Sequence, residues 1–212
     1  MSWKSRALGA MLVAAAVAGA PVMAAPGPKP DFGRHTASAD ARRLAEWVVQ
    51  SADHGGAPFA IVDKKAARLL VFDADGKLRG ISAALLGQAI GDDIAPNVGV
   101  HTQAGFVPPH ERTTPAGRFV AEPGRNATGE HIVWVDYDSA FAIHRLRPGA
   151  SHGPRAQRLA SGKPEDSRVS HGCVVVPVAF YESVVTPLIG RKRAVVYVLP
   201  DKGSWRGFVN SL

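Results

Sequence analysis

Short runs of apolar residues, broken by turn residues, follow one another over most of the chain after Pro58. The runs are rich in valine, isoleucine and phenylalanine, and such runs bounded by glycine, proline or aspartate are typical of β-strands. Asp75-Gly76, between two of the runs, is typical of a tight hairpin turn. The predicted strands are residues 59–62, 68–72, 78–82, 117–121, 131–135, 140–144 and 194–199.

A helical pattern precedes these strands. Over residues 41–49 the apolar residues recur at the spacing of an amphipathic helix. Ser38 or Asp40 can cap its N-terminus, and Gly55-Gly56 is expected to end it. The position and size of this helix predict a role in packing.

A second helical pattern follows Pro177. Residues 178–189 place Phe180, Val184 and Leu188 on one face of a helix. Because most of the remaining chain has strand spacing, the pattern predicts a mostly β fold with a helix near each end of the strand region.

The N-terminus has the pattern of an export signal. Lys4 and Arg6 precede an apolar run over residues 8–20 that ends in small residues, and Val22-Met23-Ala24 fits a signal-peptidase site. The apolar run is shorter than the roughly 20 residues that span a bilayer. We therefore expect residues 1–24 to be a signal peptide, and the protein to be exported to the periplasm or cell envelope without a membrane-spanning segment.

Composition and charge narrow the class of protein. Removal of residues 1–24 would leave 188 residues (212 minus 24), enough for one domain with a modest appendage. The net charge of +7 would fall to +5 without Lys4 and Arg6. A positive net charge attracts anionic partners in general. Export argues against nucleic acid and favours anionic envelope polymers or peptide carboxylates, although solubility alone also explains the charge.

The chain has a single cysteine, Cys173. An exported protein enters an oxidising compartment in which structural cysteines usually pair, and one cysteine allows no intramolecular disulfide. The lone thiol therefore favours a functional role, with a small buried apolar side chain as the alternative.

Cys173 closes the run Ser170-His171-Gly172-Cys173. A thiolate is the reactive form of cysteine, and a nearby imidazole can generate it. Gly172 allows a positive φ, which would let backbone N–H groups face a developing oxyanion. The alternative is a glycine turn with a surface histidine.

These four residues resemble the signature of the L,D-transpeptidase catalytic domain family. Residues 61–72 resemble the opening strand pair of that family, residues 113–119 its Thr-Pro-x-Gly-x-Phe turn, and residues 141–144 its histidine-bearing strand. The resemblance covers residues 58–200 and keeps the order of the family's motifs. It implies an L,D-transpeptidase-like β-sandwich.

Together, the patterns and the resemblance divide the chain into a signal peptide (1–24), a flexible lead with an N-terminal helix (25–57), a catalytic domain (58–200) and a C-terminal tail (201–212). The resemblance implies a cysteine acyl transferase in which Cys173 attacks a peptidoglycan stem peptide and forms a thioester. Ser170 and Gly172 would shape the oxyanion and substrate site. No metal or cofactor is implied, and a covalent carbapenem adduct is expected.

Three histidines are candidates for the catalytic base. His152 is closer to the usual family distance from the signature, but it stands in a loop-like segment. His144 ends a predicted strand, a rigid platform for an imidazole. We therefore expect His144 to be the base, His152 to be the alternative base, and His171 to act at the site by contacting substrate.

One position departs from the family pattern. The family commonly carries arginine or asparagine two residues after the cysteine, where this chain has Val175. Arg145, Arg147 or Arg168 could replace that charge. Two other functions stay open: a hydrolytic variant of the same site, either carboxypeptidase or amidase, that could release a wall-linked envelope protein, and a non-catalytic wall-binding module.

Overall fold

The predicted strands form one large sheet in the computed structural model, which describes residues 27–210. The predicted signal peptide and its cleavage site lie outside the described residues. The ten strands are β1 (Phe59–Asp63), β2 (Arg68–Phe72), β3 (Leu78–Ala83), β4 (Leu86–Gly87), β5 (Gly117–Arg125), β6 (His131–Asp136), β7 (Phe141–Arg145), β8 (Arg168–Ser170), β9 (Val174–Val176) and β10 (Ala194–Val198).

Eight of these strands pair in the order β3-β2-β1-β10-β5-β6-β7-β9, and β4 pairs with β8 in a separate two-stranded sheet. Neighbours in the large sheet are antiparallel except for the parallel pairs β1–β10 and β7–β9. The second parallel pair positions the candidate site, because it places the strand of His144 beside the strand that follows Cys173.

Helices cover the sheet. They are α1 (Ala39–Ser51), α2 (Val98–Gln103), α3 (His152–Ser161), α4 (Val178–Phe180), α5 (Thr186–Leu188) and α6 (Trp205–Asn210), with a π-helical segment Tyr181–Val185 between α4 and α5. The prediction of a mostly β fold with a helix after the cysteine and a short N-terminal helix is confirmed. Within residues 27–210 no helix is long and apolar enough to cross a membrane.

The main core lies on one face of the sheet. It joins residues from both ends of the strand order with the helical segment after Pro177, so that Leu69, Val174 and Val185 belong to one cluster. The opposite face of β1, β2 and β10 packs against α1 and α6. Because β10 has apolar neighbours on both faces, all five of its residues are buried.

The ends of α1 differ in part from the prediction. Ser38 is the N-cap and its hydroxyl accepts a hydrogen bond from the Ala41 N–H at 3.1 Å, as proposed. The helix ends at Ser51, before Gly55-Gly56, because Ala52 adopts a left-handed conformation and closes the last turn.

Three segments that the sequence suggested were irregular are attached to the fold. Asp31 in the lead bonds to β3 through the Leu78 N–H at 2.7 Å. The tail includes α6, which contacts α1. The segment around His152 was expected to be a loop, but His152 is the first residue of α3. The residues that follow it to Ser161, including Leu159 and Ala156, have the periodicity that buries one helix face.

Candidate active site

The signature residues form the connection between β8 and β9. Ser170 ends β8 and is buried, and its hydroxyl donates to the Cys173 carbonyl at 2.6 Å. The same hydroxyl accepts a hydrogen bond from the Gly172 N–H at 3.1 Å. Ser170 therefore holds the cysteine loop in shape. The Gly172 N–H is occupied in this conformation, so it is not among the groups available to an incoming oxyanion.

Gly172 fits closely against the segment that precedes β5. Its φ is +129°, and a Cβ at this position would lie 2.8 Å from the Thr113 carbonyl oxygen. The neighbouring Thr114 is fully buried, donates to the Gly172 carbonyl at 2.7 Å and accepts from the Gly87 N–H at 2.8 Å. The 113–119 turn therefore acts as a support for the cysteine loop.

A buried lysine, Lys64, holds this turn in place through hydrogen bonds. Lys64 Nζ donates to the Thr114 carbonyl at 2.8 Å, to the Gly91 carbonyl at 2.7 Å and to Asp92 Oδ1 at 2.7 Å. It also lies 3.3 Å from Asp201 Oδ2. Lys64 was not a sequence candidate, because Lys64-Lys65 after a strand looks like an exposed turn.

The parallel β7–β9 pair brings the segments of Cys173 and His144 next to each other. His144 on β7 is in register with Val175 on β9, and Cys173 precedes Val175 by two residues. Cys173 lies directly before β9, and its Sγ approaches the carbonyl of Ala140, the residue directly before β7. Ile143 and Val174 point into the main core. The pairing thus brings together two of the predicted catalytic residues.

A backbone contact orients the His144 imidazole. Its Nδ1 lies 2.8 Å from the Arg145 carbonyl oxygen, which can only accept, so Nδ1 carries the proton. The other nitrogen, Nε2, is then left with its lone pair. Burial, followed by the positive charge of Arg147, lowers the pKa of His144 to about 4, so the ring is neutral at neutral pH and can act as a base.

The thiol is also neutral in the resting protein. Burial raises the pKa of Cys173, while a hydrogen bond from the Ala142 backbone and the charges of Arg147 and Arg155 act in the opposite direction. The Sγ atom lies 3.5 Å from the Ala140 carbonyl oxygen. The site therefore holds a neutral thiol and a neutral imidazole, and the thiolate has to form when substrate is attacked.

The two other histidines occupy different places. His171 is exposed, and it lines a cavity with Gly172, Ala140 and Pro115 beneath the segment that carries α2. Partial burial and the charges of Arg112 and Arg155 lower the pKa of His171. His152 is exposed at the start of α3. The geometry therefore favours His144 as the base and leaves His171 at the rim.

Val175 is apolar because α3 covers it. It packs in a small core with Leu85, Leu146 and Leu159, where a charged side chain would lose its hydration. Of the arginines that the sequence suggested as replacements, Arg168 pairs with Asp201. The other two, Arg145 and Arg147, lie within 2.9 Å and 2.7 Å of Glu130.

Comparison with known proteins gives structural matches only. No family model and no curated protein match the chain. An L,D-transpeptidase from Mycobacterium smegmatis is 17% identical, with 67% of this chain and 58% of that chain covered and a TM-score of 0.38. An L,D-transpeptidase in complex with imipenem is also 17% identical, covering 68% and 59%, with a TM-score of 0.38.

The helical cell shape determining protein of Campylobacter jejuni is 16% identical, covering 70% of this chain and 49% of that chain, with a TM-score of 0.42. The chain thus spans about half to three fifths of the length of these three matched structures. Their TM-scores lie below 0.5, which is too low to carry an activity over to this chain. Any activity has to be argued from the residues of this chain.

Proposed function

We propose that this protein is an exported cysteine acyl transferase of the L,D-transpeptidase type that acts on peptidoglycan stem peptides. The observation that carries the proposal is the arrangement of Cys173 and His144. His144 is in register with Val175, two residues after Cys173, and the Nδ1 contact with Arg145 leaves Nε2 of His144 free of a proton. The choice of peptidoglycan comes from the resemblance of residues 58–200 to the family.

The first half of the reaction forms the acyl-enzyme. His144 Nε2 removes the thiol proton as Sγ of Cys173 bonds to the carbonyl carbon of the donor peptide. Backbone N–H groups of the cysteine loop other than that of Gly172 stabilise the oxyanion. The C–N bond to the terminal residue then breaks, and the imidazolium gives its proton to the departing amine.

The second half regenerates the thiol. An acceptor amine loses a proton to His144 and attacks the thioester carbonyl, the new C–N bond forms, and the S–C bond breaks. The sulfur then takes the proton back from the imidazolium. Water in place of the amine would give hydrolysis by the same steps, so the products separate the transferase from a carboxypeptidase or amidase.

The burial of Val175 bears on the wall-binding alternative. An apolar residue at this position is required by the packing of α3, so its presence is no sign of a lost active site. A non-catalytic module also has no need for a buried imidazole whose tautomer is set by a backbone carbonyl.

Intact-mass measurement after incubation with imipenem tests the nucleophile. We expect one covalent adduct on the wild-type protein and none on Cys173→Ala, with similar thermal unfolding because the substitution removes only one buried sulfur. Incubation with a tetrapeptide stem, with and without an amine acceptor, then measures transfer against hydrolysis. An unmodified wild-type protein that also leaves the tetrapeptide intact would contradict the proposal.

A further inference from the structure

Helix α3 brings an arginine to the active site that the sequence did not single out. Leu159 of this helix packs with Val175, the residue two positions after Cys173. Arg155 precedes Leu159 by four residues, so both side chains leave the same face of the helix. Arg155 therefore faces the strands of the site, one helical turn before the residue that covers Val175.

The partners of Arg155 are incomplete. Its Nε is buried without a hydrogen-bond partner, and in the described part of the chain its guanidinium makes no ion pair with a carboxylate. Arg155 as a whole is half-buried, but a buried N–H without a partner is unfavourable unless an acceptor reaches it. Arg158, three residues later, is exposed and donates to the Asp166 carbonyl at 3.2 Å instead.

Arg155 and Arg147 together place positive charge near the thiol of Cys173. The positive charges of Arg155 and Arg147 both act on Cys173 and on His144. Arg147 lies 2.7 Å from Glu130 Oε2, yet its Nε has no well-directed hydrogen bond. Glu130 is shared between Arg147 and Arg145, so a single carboxylate faces two arginines and none is left for Arg155.

We infer that Arg155, with Arg147 beside it, binds the C-terminal carboxylate of the donor stem peptide next to Cys173. This inference rests on the proposed function. In the reaction described above, the residue that is released carries this carboxylate two bonds beyond the scissile nitrogen. A cation beside the thiol is therefore where the carboxylate arrives, and guanidinium can hold it through two hydrogen bonds.

The anion site itself can be tested without any peptide substrate. Iodoacetate and iodoacetamide both alkylate Cys173 with loss of iodide, but only iodoacetate carries a carboxylate. The ratio of their rate constants is independent of the thiolate fraction, because both reagents need the same thiolate. The ratio therefore reports the local positive charge rather than the pKa of the thiol.

We expect Arg155→Gln to lower the iodoacetate-to-iodoacetamide ratio by about tenfold at low ionic strength, since one charge near the reagent is removed. Arg155→Lys should keep most of the ratio. Arg158→Gln removes the same charge from an exposed position of the same helix and should stay within about twofold of wild type. A wild-type ratio in Arg155→Gln, or an equal loss in Arg158→Gln, would overturn the anion site.

The identity of the anion is tested with a tetrapeptide stem and its C-terminal amide. Wild type should prefer the free carboxylate by about tenfold in kcat/KM, the effect expected of one added charge–charge contact, and Arg155→Gln should lose the preference. If Arg155→Gln keeps the preference, the carboxylate assignment is wrong. If wild type uses neither donor, the proposed function fails, and the alkylation ratio alone upholds or overturns the anion site.

Discussion

Thr114 and Gly172 are 58 positions apart in the chain and are joined by a hydrogen bond of 2.7 Å from the threonine hydroxyl to the glycine carbonyl. The same hydroxyl accepts the Gly87 N–H, so it ties together three segments at the base of the cysteine loop. Thr114 is fully buried, and water cannot replace either contact.

Thr114→Val should therefore destabilise the protein and loosen the cysteine loop. The substitution leaves a buried N–H and a buried carbonyl without this partner, which we expect to lower the free energy of unfolding by about 2–4 kcal/mol. Urea denaturation measures it. Thr113→Val is the matched control, because its hydroxyl makes an exposed bond to the Asp93 carbonyl, and its loss should stay near 0.5 kcal/mol. Equal losses in both variants would contradict the role of Thr114.

Gly172→Ala should impair the thiol more than the fold. The new Cβ would lie 2.8 Å from the Thr113 carbonyl oxygen, and the φ of +129° is strained for alanine. We expect iodoacetamide to alkylate Cys173 at least about tenfold more slowly, since the loop must shift. Gly203→Ala has the same kind of strain, φ +84°, with no atom within 4 Å of the Cβ, and should keep the wild-type rate. A wild-type rate in Gly172→Ala would show that loop position is unimportant.

His144 should make stability depend on pH on the acid side of neutrality. Its pKa is lowered from 6.5 to about 4, so between these values the unfolded chain binds a proton that the folded protein does not. The stabilisation is complete above pH 6.5 and is lost as the pH falls toward 4, a change of about 3.5 kcal/mol at 1.4 kcal/mol per pH unit.

Denaturation midpoints from pH 4 to 7 measure this dependence. His144→Gln should remove the part of the slope that belongs to the buried imidazole, and should also remove base catalysis of thiol alkylation by a neutral reagent. The exposed His152→Gln should keep both. If His152→Gln changes the slope or the alkylation profile and His144→Gln does not, the assignment of the base is reversed.

Lys64 should be essential for stability although it lies outside the reacting groups. Its ammonium lies within 3.3 Å of both Asp92 and Asp201, and Lys64→Met would leave Asp92 without its cation and Asp201 with Arg168 alone. We expect a loss of about 3–5 kcal/mol in the free energy of unfolding. Lys65→Met removes the neighbouring exposed lysine and should cost less than about 1 kcal/mol. Thermal unfolding of both variants decides it, and a small effect at Lys64 would refute the structural role.

Much of the architecture follows from local patterns. Alternating and continuous apolar runs place the main strands to within a few residues, as in β2, which matches the predicted range 68–72. The run after Pro177 has helical spacing, and the observed helix buries Tyr181 and Val185 from it. Such patterns suffice to locate strands and helices, because the side chains that an element buries recur along the chain with the period of that element.

The order of the strands was beyond these patterns. β10, last in the chain, lies in the middle of the sheet between β1 and β5. No short-range signal encodes a pairing between residues so far apart. The same holds for α3, whose first residue His152 was expected in a loop and whose packing on Val175 depends on β7 and β9 being in place.

For the candidate site too, some features follow from the sequence and others only from the tertiary structure. The sequence by itself determined the candidate groups: a single cysteine behind a glycine, and three histidines in the segment that leads up to it. Only the tertiary structure decided which of them lie near one another. The parallel β7–β9 register places His144 beside Val175, two residues after Cys173, the Arg145 carbonyl sets the tautomer of His144, and burial sets its charge. Proximity, orientation and desolvation are properties of assembled elements, so residue types and spacing alone do not contain them.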